Sequence, residues 1–156
     1  MTLPHGWLTR DEADALGALA RDRTVLELGA WKGRSTVVLA AAARYVVSVD
    51  RHRGIPGHDT DSLPDYLSHV RDLNNVAIVV ASFDEFVPLL GRFDLVYVDG
   101  DHDSGSVLRD TQHALTVRPK VVAFHDWDFA EVRDTATLVL GTDPDTVVGS
   151  LAWFSL

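Results

Sequence analysis

The sequence predicts an α/β domain in which a doubly wound, mostly parallel sheet carries helices on both faces. Short apolar runs that suit buried strands alternate with longer segments of helical pattern through five successive units. A glycine or a polar residue follows each apolar run, namely Gly29, Asp50, Ser82, Asp99 and His125. Because ligands of such sheets bind at the carboxyl ends of the strands, this recurrence also predicts where the functional site lies.

The elements are expected in a regular order along one domain, residues 1–156. Strands are predicted at 24–28, 45–50, 76–80, 93–99 and 121–124, and a closing β-hairpin at 146–149 and 151–154. Helices are predicted at 8–21, 35–43, 63–73, 104–115 and about 130–140. Thr9 and Glu12 have the spacing of a capping box, so residues 1–23 are expected to supply a covering helix. The segment ahead of it, including Trp7, is expected to be loosely packed.

The most informative stretch of the sequence is the junction of the first strand with the second helix. Thr24–Leu28 is an apolar run with one acidic interruption, and Gly29 and Gly33 bracket a tight turn. Ser35 and Thr36 then begin an alanine-rich helix. Unpaired backbone N–H groups and the positive end of the helix dipole would therefore face an anionic group of a ligand.

This turn differs from two common phosphate-binding turns. A P-loop needs four residues between its glycines and a following lysine, whereas three residues separate Gly29 from Gly33 and Arg34 follows. The dinucleotide-binding turn needs a second glycine where Trp31 stands, and a large side chain there would block a pyrophosphate. Neither a nucleoside triphosphate nor a dinucleotide is therefore the predicted ligand.

The second predicted strand ends in an acid, Asp50, which lies 21 positions beyond Gly29. This is close to the spacing at which nucleotide-binding sheets accept hydrogen bonds from ribose hydroxyls, so Asp50 is predicted to bind a ribose. The polar segment 51–62 that follows is predicted to be a loop, and its candidates for ligand contact are Arg51, His52, Arg53 and His58. Asp84 and Asp103 are expected to act as helix caps.

Composition excludes several classes of function. The chain of 156 residues is 46% apolar and carries a net charge of −9, which argues against binding of duplex nucleic acid. It has no cysteine, so disulfides and thiolate sites are excluded. It also lacks an apolar run of the roughly 20 residues that a membrane helix needs. Residues 1–7 lack the basic and apolar regions of a signal peptide. We therefore expect a cytoplasmic protein that has no membrane partner and can form a homodimer.

The order of these motifs resembles that of the class I S-adenosylmethionine-dependent methyltransferases. The resemblance covers about residues 23–156 and rests on Glu27-x-Gly29-x-x-x-Gly33, Val-Asp-Gly-Asp-His at 98–102 and His125-Asp126. It implies a Rossmann-like, seven-stranded fold, with S-adenosylmethionine as cofactor and a small-molecule methyl acceptor such as a sugar or secondary metabolite. The implied cofactor-binding residues are Glu27, Gly29, Ala30, Trp31, Gly33, Ser35, Asp50, Arg51, Ser82, Phe83 and Asp99, with Ser82 and Phe83 beside the adenine.

Asp99, His125 and Asp126 are candidates for a divalent metal site. If strands four and five are neighbours, the two aspartates end close together and would repel each other unless a cation or a proton lay between them. The resemblance implies Mg²⁺, which prefers oxygen ligands, and His125 is a poorer ligand for that ion. The alternative is that Asp99 caps a turn and His125 packs at the strand end, and both interpretations stay open.

Methyl transfer to oxygen requires a base, and Asp101 and His102 are the two candidates. His102 has the unperturbed pKa nearest neutrality, whereas Asp101 matches a base position in sugar-modifying relatives. Two further hypotheses stay open. The domain could bind S-adenosylmethionine without turnover, or it could be a metal-dependent hydrolase that uses the acids and histidines of 99–102 and 125–126.

Overall fold

The computed structural model describes residues 3–53 and 61–156. Its strands form one seven-stranded sheet in the order β3-β2-β1-β4-β5-β7-β6. The strands are β1 (Thr24–Leu28), β2 (Tyr45–Asp50), β3 (Val76–Val80), β4 (Leu95–Val98), β5 (Val121–Phe124), β6 (Thr146–Val148) and β7 (Leu151–Ser155). Strands β1 to β5 are parallel, and the antiparallel hairpin of β6 and β7 closes the sheet beside β5. The predicted doubly wound sheet with a C-terminal hairpin is confirmed.

Helices cover both faces of the sheet. They are α1 (Arg10–Ala20), α2 (Arg34–Ala42), α3 (Leu63–Val70), α4 (Phe83–Phe86), α5 (Ser104–Thr116) and α6 (Ala130–Leu140), and the 3-10 turn Val87–Leu89 follows α4. Apolar residues of α1 and α2 form one core with one face of the sheet. Residues of α5 and α6 form a second core with the opposite face. The reversal of strand order between β1 and β4 therefore opens a crevice at the centre of the carboxyl edge.

Strand β4 shows why the central strands read as unbroken apolar runs. Leu95 and Tyr97 belong to the core under α1 and α2, whereas Val96 and Val98 belong to the core under α5 and α6. All four side chains are buried because both faces of a parallel sheet are covered by helices. The first residue past this strand that can face a ligand is therefore Asp99.

Local capping explains most differences between the predicted and the observed helix ends. The capping box of Thr9 and Glu12 is present, so α1 begins at Arg10 and not at residue 8. The α4 helix was not predicted, although Ser82 and Glu85 form a capping box of the same kind. Asp84 is therefore not a cap, and its carboxylate instead contacts His113 Nε2 at 2.7 Å. The third helix ends at Val70, three residues before its predicted end.

The expectation of a loosely packed N-terminal segment is wrong. Arg34, the first residue of α2, donates hydrogen bonds to the carbonyl oxygens of Pro4 (2.5 Å) and Leu8 (2.6 Å). Trp7 stacks on Trp31 of the glycine turn, with ring centroids 4.5 Å apart. The segment is thus fastened across the start of α2 and the turn beside it. The signal that sequence reasoning missed was Arg34, a side chain long enough to reach two carbonyl groups.

Two further expectations concern membrane-spanning helices and the segment that follows β2. In the part of the chain that the structure describes, no helix has both the length and the apolar character to cross a membrane. The predicted ligand contact by His58 falls in residues 54–60, which lie outside the described residues.

Candidate active site

The turn between β1 and α2 holds an unusual backbone conformation. Gly29 (φ +93°) packs against β4 so closely that a Cβ would collide with the carbonyl oxygen of Asp99. Gly33 (φ +84°) ends the turn and Trp31 lies in its middle at φ +42°, which is costly for a residue with a side chain. No side chain caps α2 at Gly33. The first N–H groups of α2 are therefore left for an anionic ligand group.

Asp50 lies at the tip of β2 and supports this turn. Its carboxylate accepts hydrogen bonds from the backbone N–H groups of Ala30 (2.7 Å), Trp31 (2.9 Å) and His52 (2.6 Å). A carboxylate has about four acceptor positions, so three of them are taken by the protein. Asp50 thus lies at the predicted edge of the crevice, and its contact with a ribose stays a prediction.

The side chains of Glu27 and Ser35 point away from the crevice in which the resemblance implies a ligand. Glu27 is fully buried beneath the turn, and its carboxylate accepts hydrogen bonds from the hydroxyls of Ser35, Thr36 and Ser48, each at 2.6 Å. Burial raises the pKa of Glu27 to about 7 although the three hydroxyls act in the opposite direction. The hydroxyl of Ser35 points inward because Glu27 is its acceptor. Both side chains therefore stabilise the turn from below.

Three further residues that the resemblance implies for the cofactor, Arg51, Ser82 and Phe83, lie at the exits of β2 and β3. Arg51, at the exit of β2, forms an ion pair of 3.8 Å with Asp101, which follows β4. Since β1 lies between these two strands, the pair spans the crevice above Gly29. Ser82 caps α4, and Phe83 lies close to Gly100. The structure thus brings the exits of β2, β3 and β4 around one space.

Asp99, His125 and Asp126 converge at the exits of β4 and β5. His125 is buried, and its Nδ1 lies 3.5 Å from Asp99 Oδ1 and 3.3 Å from Asp126 Oδ1. One ligand atom from each of the three residues lies within 4.8 Å of the others, so the group could hold a metal ion. Burial favours the neutral imidazole of His125, but the two carboxylates outweigh it and raise its pKa to about 11.

Each aspartate of this acid–histidine cluster has a second partner on its outer side. The Tyr97 hydroxyl donates to Asp99 Oδ2 at 2.9 Å, and His102 Nε2 lies 2.7 Å from Asp126 Oδ2. Glu12 Oε2 lies 3.6 Å from His125 Nε2, too far for a hydrogen bond. Sequence reasoning missed Tyr97 and Glu12, because a residue in a strand interior and a helix-capping acid carry no signal of such contacts.

His102 is placed to move a proton at the rim of this cluster. Its side chain is 44% exposed, and its ring stacks on Phe129 with centroids 4.9 Å apart. The hydrogen bond to Asp126 raises the pKa of His102 against the opposing effect of burial. Burial disfavours the Asp126 carboxylate, but contacts with His102 and His125 keep its pKa low. The pair is therefore a histidine oriented by a carboxylate, an arrangement that general bases share.

The other candidate base and the nearby tryptophan are placed differently. Asp101 points to Arg51 across the crevice and makes no hydrogen bond that would orient it for proton transfer, within the residues that the structure describes. Trp127 is buried and packs against Phe124 and Phe154 in the core. Trp127 therefore belongs to the core and not to the lining of the crevice.

Comparisons with known proteins agree with this architecture. A family model described as "Methyltransferase domain" matches residues 26–127. A search of curated protein sequences found no significant match. Among solved structures, the cofactor-bound Rv0187 from MTB superposes with a TM-score of 0.70 at 23% identity, covering 97% of this chain and 82% of that chain.

Two O-methyltransferases show the same fold at lower identity. The enzyme from Bacillus cereus, solved in complex with SAH, has a TM-score of 0.70 at 17% identity, with 99% of this chain and 84% of that chain covered. TomG from Streptomyces achromogenes, solved with SAM, has a TM-score of 0.69 at 18% identity, with 96% and 81% covered. Likeness at this identity supports the fold, and the family model covers most of the chain. The chain therefore belongs to the methyltransferase-domain family and has the fold of the class I S-adenosylmethionine-dependent methyltransferases.

Proposed function

We propose that this protein transfers the methyl group of S-adenosylmethionine to a hydroxyl oxygen of a small molecule. The observation that carries the proposal is the contact of 2.7 Å between His102 Nε2 and Asp126 Oδ2 at the carboxyl edge of the sheet. A hydroxyl must lose its proton as it attacks the methyl carbon, and an oriented imidazole can accept that proton. A cofactor-binding domain without turnover would have no use for such a pair.

The cofactor is proposed to lie across the tips of β1, β2 and β4. Its carboxylate would rest on the uncapped N-terminus of α2, and its ribose hydroxyls on Asp50. Two ribose hydroxyls need two acceptor positions, whereas Asp50 has about one left. Ribose binding would therefore displace at least one backbone donor of Asp50. The adenine would lie beside Ser82 and Phe83, near the pair of Arg51 and Asp101.

His102 is the base in this proposal. Its Nε2–H stays hydrogen-bonded to Asp126, its Nδ1 accepts the proton of the acceptor hydroxyl, and Asp126 stabilises the imidazolium that forms. Asp101 is the weaker candidate because Arg51 is its partner. Phe129, 46% exposed, stacks on His102 and offers an apolar surface beside the base. Such a surface suits the ring of a sugar or of a secondary metabolite, and a cytoplasmic location fits such an acceptor.

Divalent-metal assistance is proposed at Asp99, His125 and Asp126. Two carboxylate oxygens and one imidazole nitrogen converge there, and Tyr97 and His102 hold the outer oxygens of the two aspartates. A nitrogen ligand favours Mn²⁺ or Zn²⁺ over Mg²⁺. When bound, the ion would lower the pKa of an acceptor hydroxyl. Calorimetric titration with MnCl₂ and MgCl₂ tests the site, with the variant Asp126→Asn as control, and no heat from either salt would reject it.

The proposed function is tested by binding and by turnover. Calorimetry with S-adenosylhomocysteine is expected to give one site per chain. Mass spectrometry after incubation with S-adenosylmethionine and a panel of sugars and phenols is expected to reveal a product heavier by one methylene group. Binding without any transfer would favour a non-catalytic domain. Hydrolysis of a phenyl ester that depends on added metal, together with no S-adenosylhomocysteine binding, would favour the hydrolase.

A further inference from the structure

A buried carboxylate of the covering helix α1, that of Glu12, faces the buried ring of His125. The Glu12 side chain is 3% exposed and the His125 side chain 6%. Glu12 Oε2 lies 3.6 Å from His125 Nε2, and no described residue forms a hydrogen bond with this nitrogen. The other ring nitrogen, Nδ1, lies near Asp99 and Asp126. The two nitrogens of one ring therefore face carboxylates from different parts of the fold.

The Glu12 carboxylate is held in place by backbone contacts. Its Oε2 accepts the backbone N–H of Thr9 at 2.7 Å, and its Oε1 accepts that of Ser150 at 2.6 Å. Oε1 also lies so close to Gly149 that a Cβ on this glycine would collide with it. These contacts join the start of α1 to the turn between β6 and β7. The charge of Glu12 thus has a fixed position beside the ring of His125.

This fixed charge determines which ring nitrogen can bind a cation. A carboxylate attracts an N–H group and repels a nitrogen lone pair. We therefore expect His125 Nε2 to carry its hydrogen, which leaves Nδ1 as the metal ligand. Nδ1 is also the nitrogen that lies 3.5 Å from Asp99 Oδ1 and 3.3 Å from Asp126 Oδ1. Histidines that bind metals commonly direct the other ring N–H at a carboxylate or a carbonyl group.

We propose that Glu12 is a positioning residue, whose carboxylate draws the Nε2–H of His125 toward itself and so keeps Nδ1 for the metal ion. The inference rests on the divalent-metal assistance in the proposed function, and it adds to that site a residue from outside the strand exits. It also connects α1 to the metal site. A purely structural Glu12 would stabilise the helix start and the hairpin turn without influencing which nitrogen binds the ion.

The nitrogen that binds the metal can be identified in the wild type itself. Heteronuclear NMR of protein with isotope-labelled histidine distinguishes the ring nitrogen that carries hydrogen from the one that binds the ion. ZnCl₂ is the metal salt, because Zn²⁺ is diamagnetic, and the signals of His125 are assigned by their loss in His125→Gln. We expect hydrogen on Nε2 and Zn²⁺ on Nδ1. The opposite arrangement would overturn the inference.

Two variants separate positioning from helix capping. Glu12→Gln removes the charge and nearly keeps the size of the side chain. The matched control, Thr9→Ala, removes the hydroxyl that accepts the backbone N–H of Glu12 and leaves the carboxylate in place. Both variants are expected to lower the thermal midpoint, because both weaken the capping box.

Calorimetric titration with ZnCl₂ then compares the metal affinities of the two variants with that of the wild type. Glu12→Gln is expected to bind Zn²⁺ about tenfold more weakly or worse, and its NMR spectra are expected to show His125 with hydrogen on either ring nitrogen. Thr9→Ala is expected to stay within about twofold of the wild type and to keep the wild-type spectrum.

The outcomes against the inference are distinct from those against the proposed function. Equal Zn²⁺ affinity in the wild type and Glu12→Gln would overturn it, and so would an equal loss in Thr9→Ala, since a weakened helix would then be the cause. If Glu12→Gln does not fold, the wild-type spectrum decides alone. A wild type that binds neither Zn²⁺ nor Mn²⁺ would reject the metal site and this inference with it, whereas methyl transfer is tested separately by S-adenosylhomocysteine binding and turnover.

Discussion

The two halves of the sheet's carboxyl edge hold their charges in different ways. At the tips of β1 and β2, Glu27 receives three hydroxyl hydrogen bonds and Asp50 receives three from backbone N–H groups. At the tips of β4 and β5, the buried His125 Nε2 has no hydrogen-bond partner within the described residues. No hydrogen bond or ion pair from a described residue reaches the carboxylate of Asp110, which is buried on the neighbouring helix α5. The acids of the first half are thus satisfied by the protein itself, although the buried hydroxyl of Tyr66 on α3, close to Glu27, has no hydrogen-bond partner within the described residues. The second half leaves a histidine nitrogen and a carboxylate unpaired.

This difference teaches how one edge can serve both binding and chemistry. Fully satisfied buried groups fix the backbone, and a fixed turn can present its N–H groups to a ligand without reorganising. Unpaired or strongly coupled groups are costly for folding, but they can accept a proton or a donor from a reactant.

The largest effect is expected in the second half, from His102→Ala. Loss of the base should lower kcat by about 100-fold or more. The affinity for S-adenosylhomocysteine should stay within about twofold, because His102 lies away from the first half. The matched control is Asp101→Asn, which should lower kcat by much less. Single-turnover kinetics and calorimetry measure the two quantities, and a larger loss in the control would make Asp101 the base.

In the first half, the raised pKa of the buried Glu27 predicts that the free energy of unfolding depends on pH. Its pKa is about 7 in the folded protein and near 4.5 in the unfolded chain, so its contribution is complete below pH 4.5 and is lost as the pH rises through 7. Relative to Glu27→Gln, the wild type should lose about 3 kcal/mol of unfolding free energy between pH 4.5 and pH 8. Urea titrations of both proteins across this range measure the difference. Asp110 is present in both proteins, so its contribution to the pH dependence cancels in the comparison. A difference in unfolding free energy that does not change with pH would contradict the prediction.

A smaller effect is expected from Asp50→Ala. The variant removes three acceptors from the turn and the proposed partner of the ribose, so affinity for S-adenosylhomocysteine should fall about tenfold, which is about 1.4 kcal/mol. Asp72→Ala removes an aspartate whose side chain is 92% exposed and should leave the affinity unchanged. Calorimetric titration of both variants with S-adenosylhomocysteine measures the two affinities. Equal affinities in Asp50→Ala and the wild type would count against the proposed ribose contact.

The smallest effect is expected from Trp7→Ala, which removes the stack on the strained turn residue Trp31. Stacking of this kind contributes about 0.5–1.5 kcal/mol, so the free energy of unfolding should fall by about that amount. Trp7→Phe keeps an aromatic ring and should recover most of the loss. Chemical denaturation measures both. Identical stability of the alanine and phenylalanine variants would show that the ring stack contributes nothing.

Much of the fold could be predicted because its signals are local. The apolar runs of β1 to β5 and the glycine turn were readable, since strand burial and positive φ leave marks in single stretches of sequence. The short helix α4 was missed because four residues show no period, although Ser82 and Glu85 carried a capping signal. The fastening of the N-terminal segment was missed because it depends on Arg34 meeting carbonyl groups 26 and 30 residues away.

The candidate site likewise contains residues that could be predicted from the sequence and residues that could not. Sequence reasoning found Asp50, Asp99, His102, His125 and Asp126, because each follows a strand or lies in a short motif next to one. It assigned Glu27 and Ser35 to the ligand, whereas the structure turns them toward each other beneath the turn. It did not find Asp110, because a single acid in an amphipathic helix looks the same whether it faces solvent or the protein interior.

By itself, the sequence determined the order of strands and helices, the turn at 29–33 and the placing of polar residues at strand exits. These follow from periodicity and from backbone conformations that few residues adopt. The pairing of His102 with Asp126, the approach of Glu12 to His125 and the lack of a partner for Asp110 among the described residues depend on the tertiary structure. Such contacts join elements distant along the chain, and whether a polar group is paired or unpaired depends on packing in three dimensions, which no local pattern records.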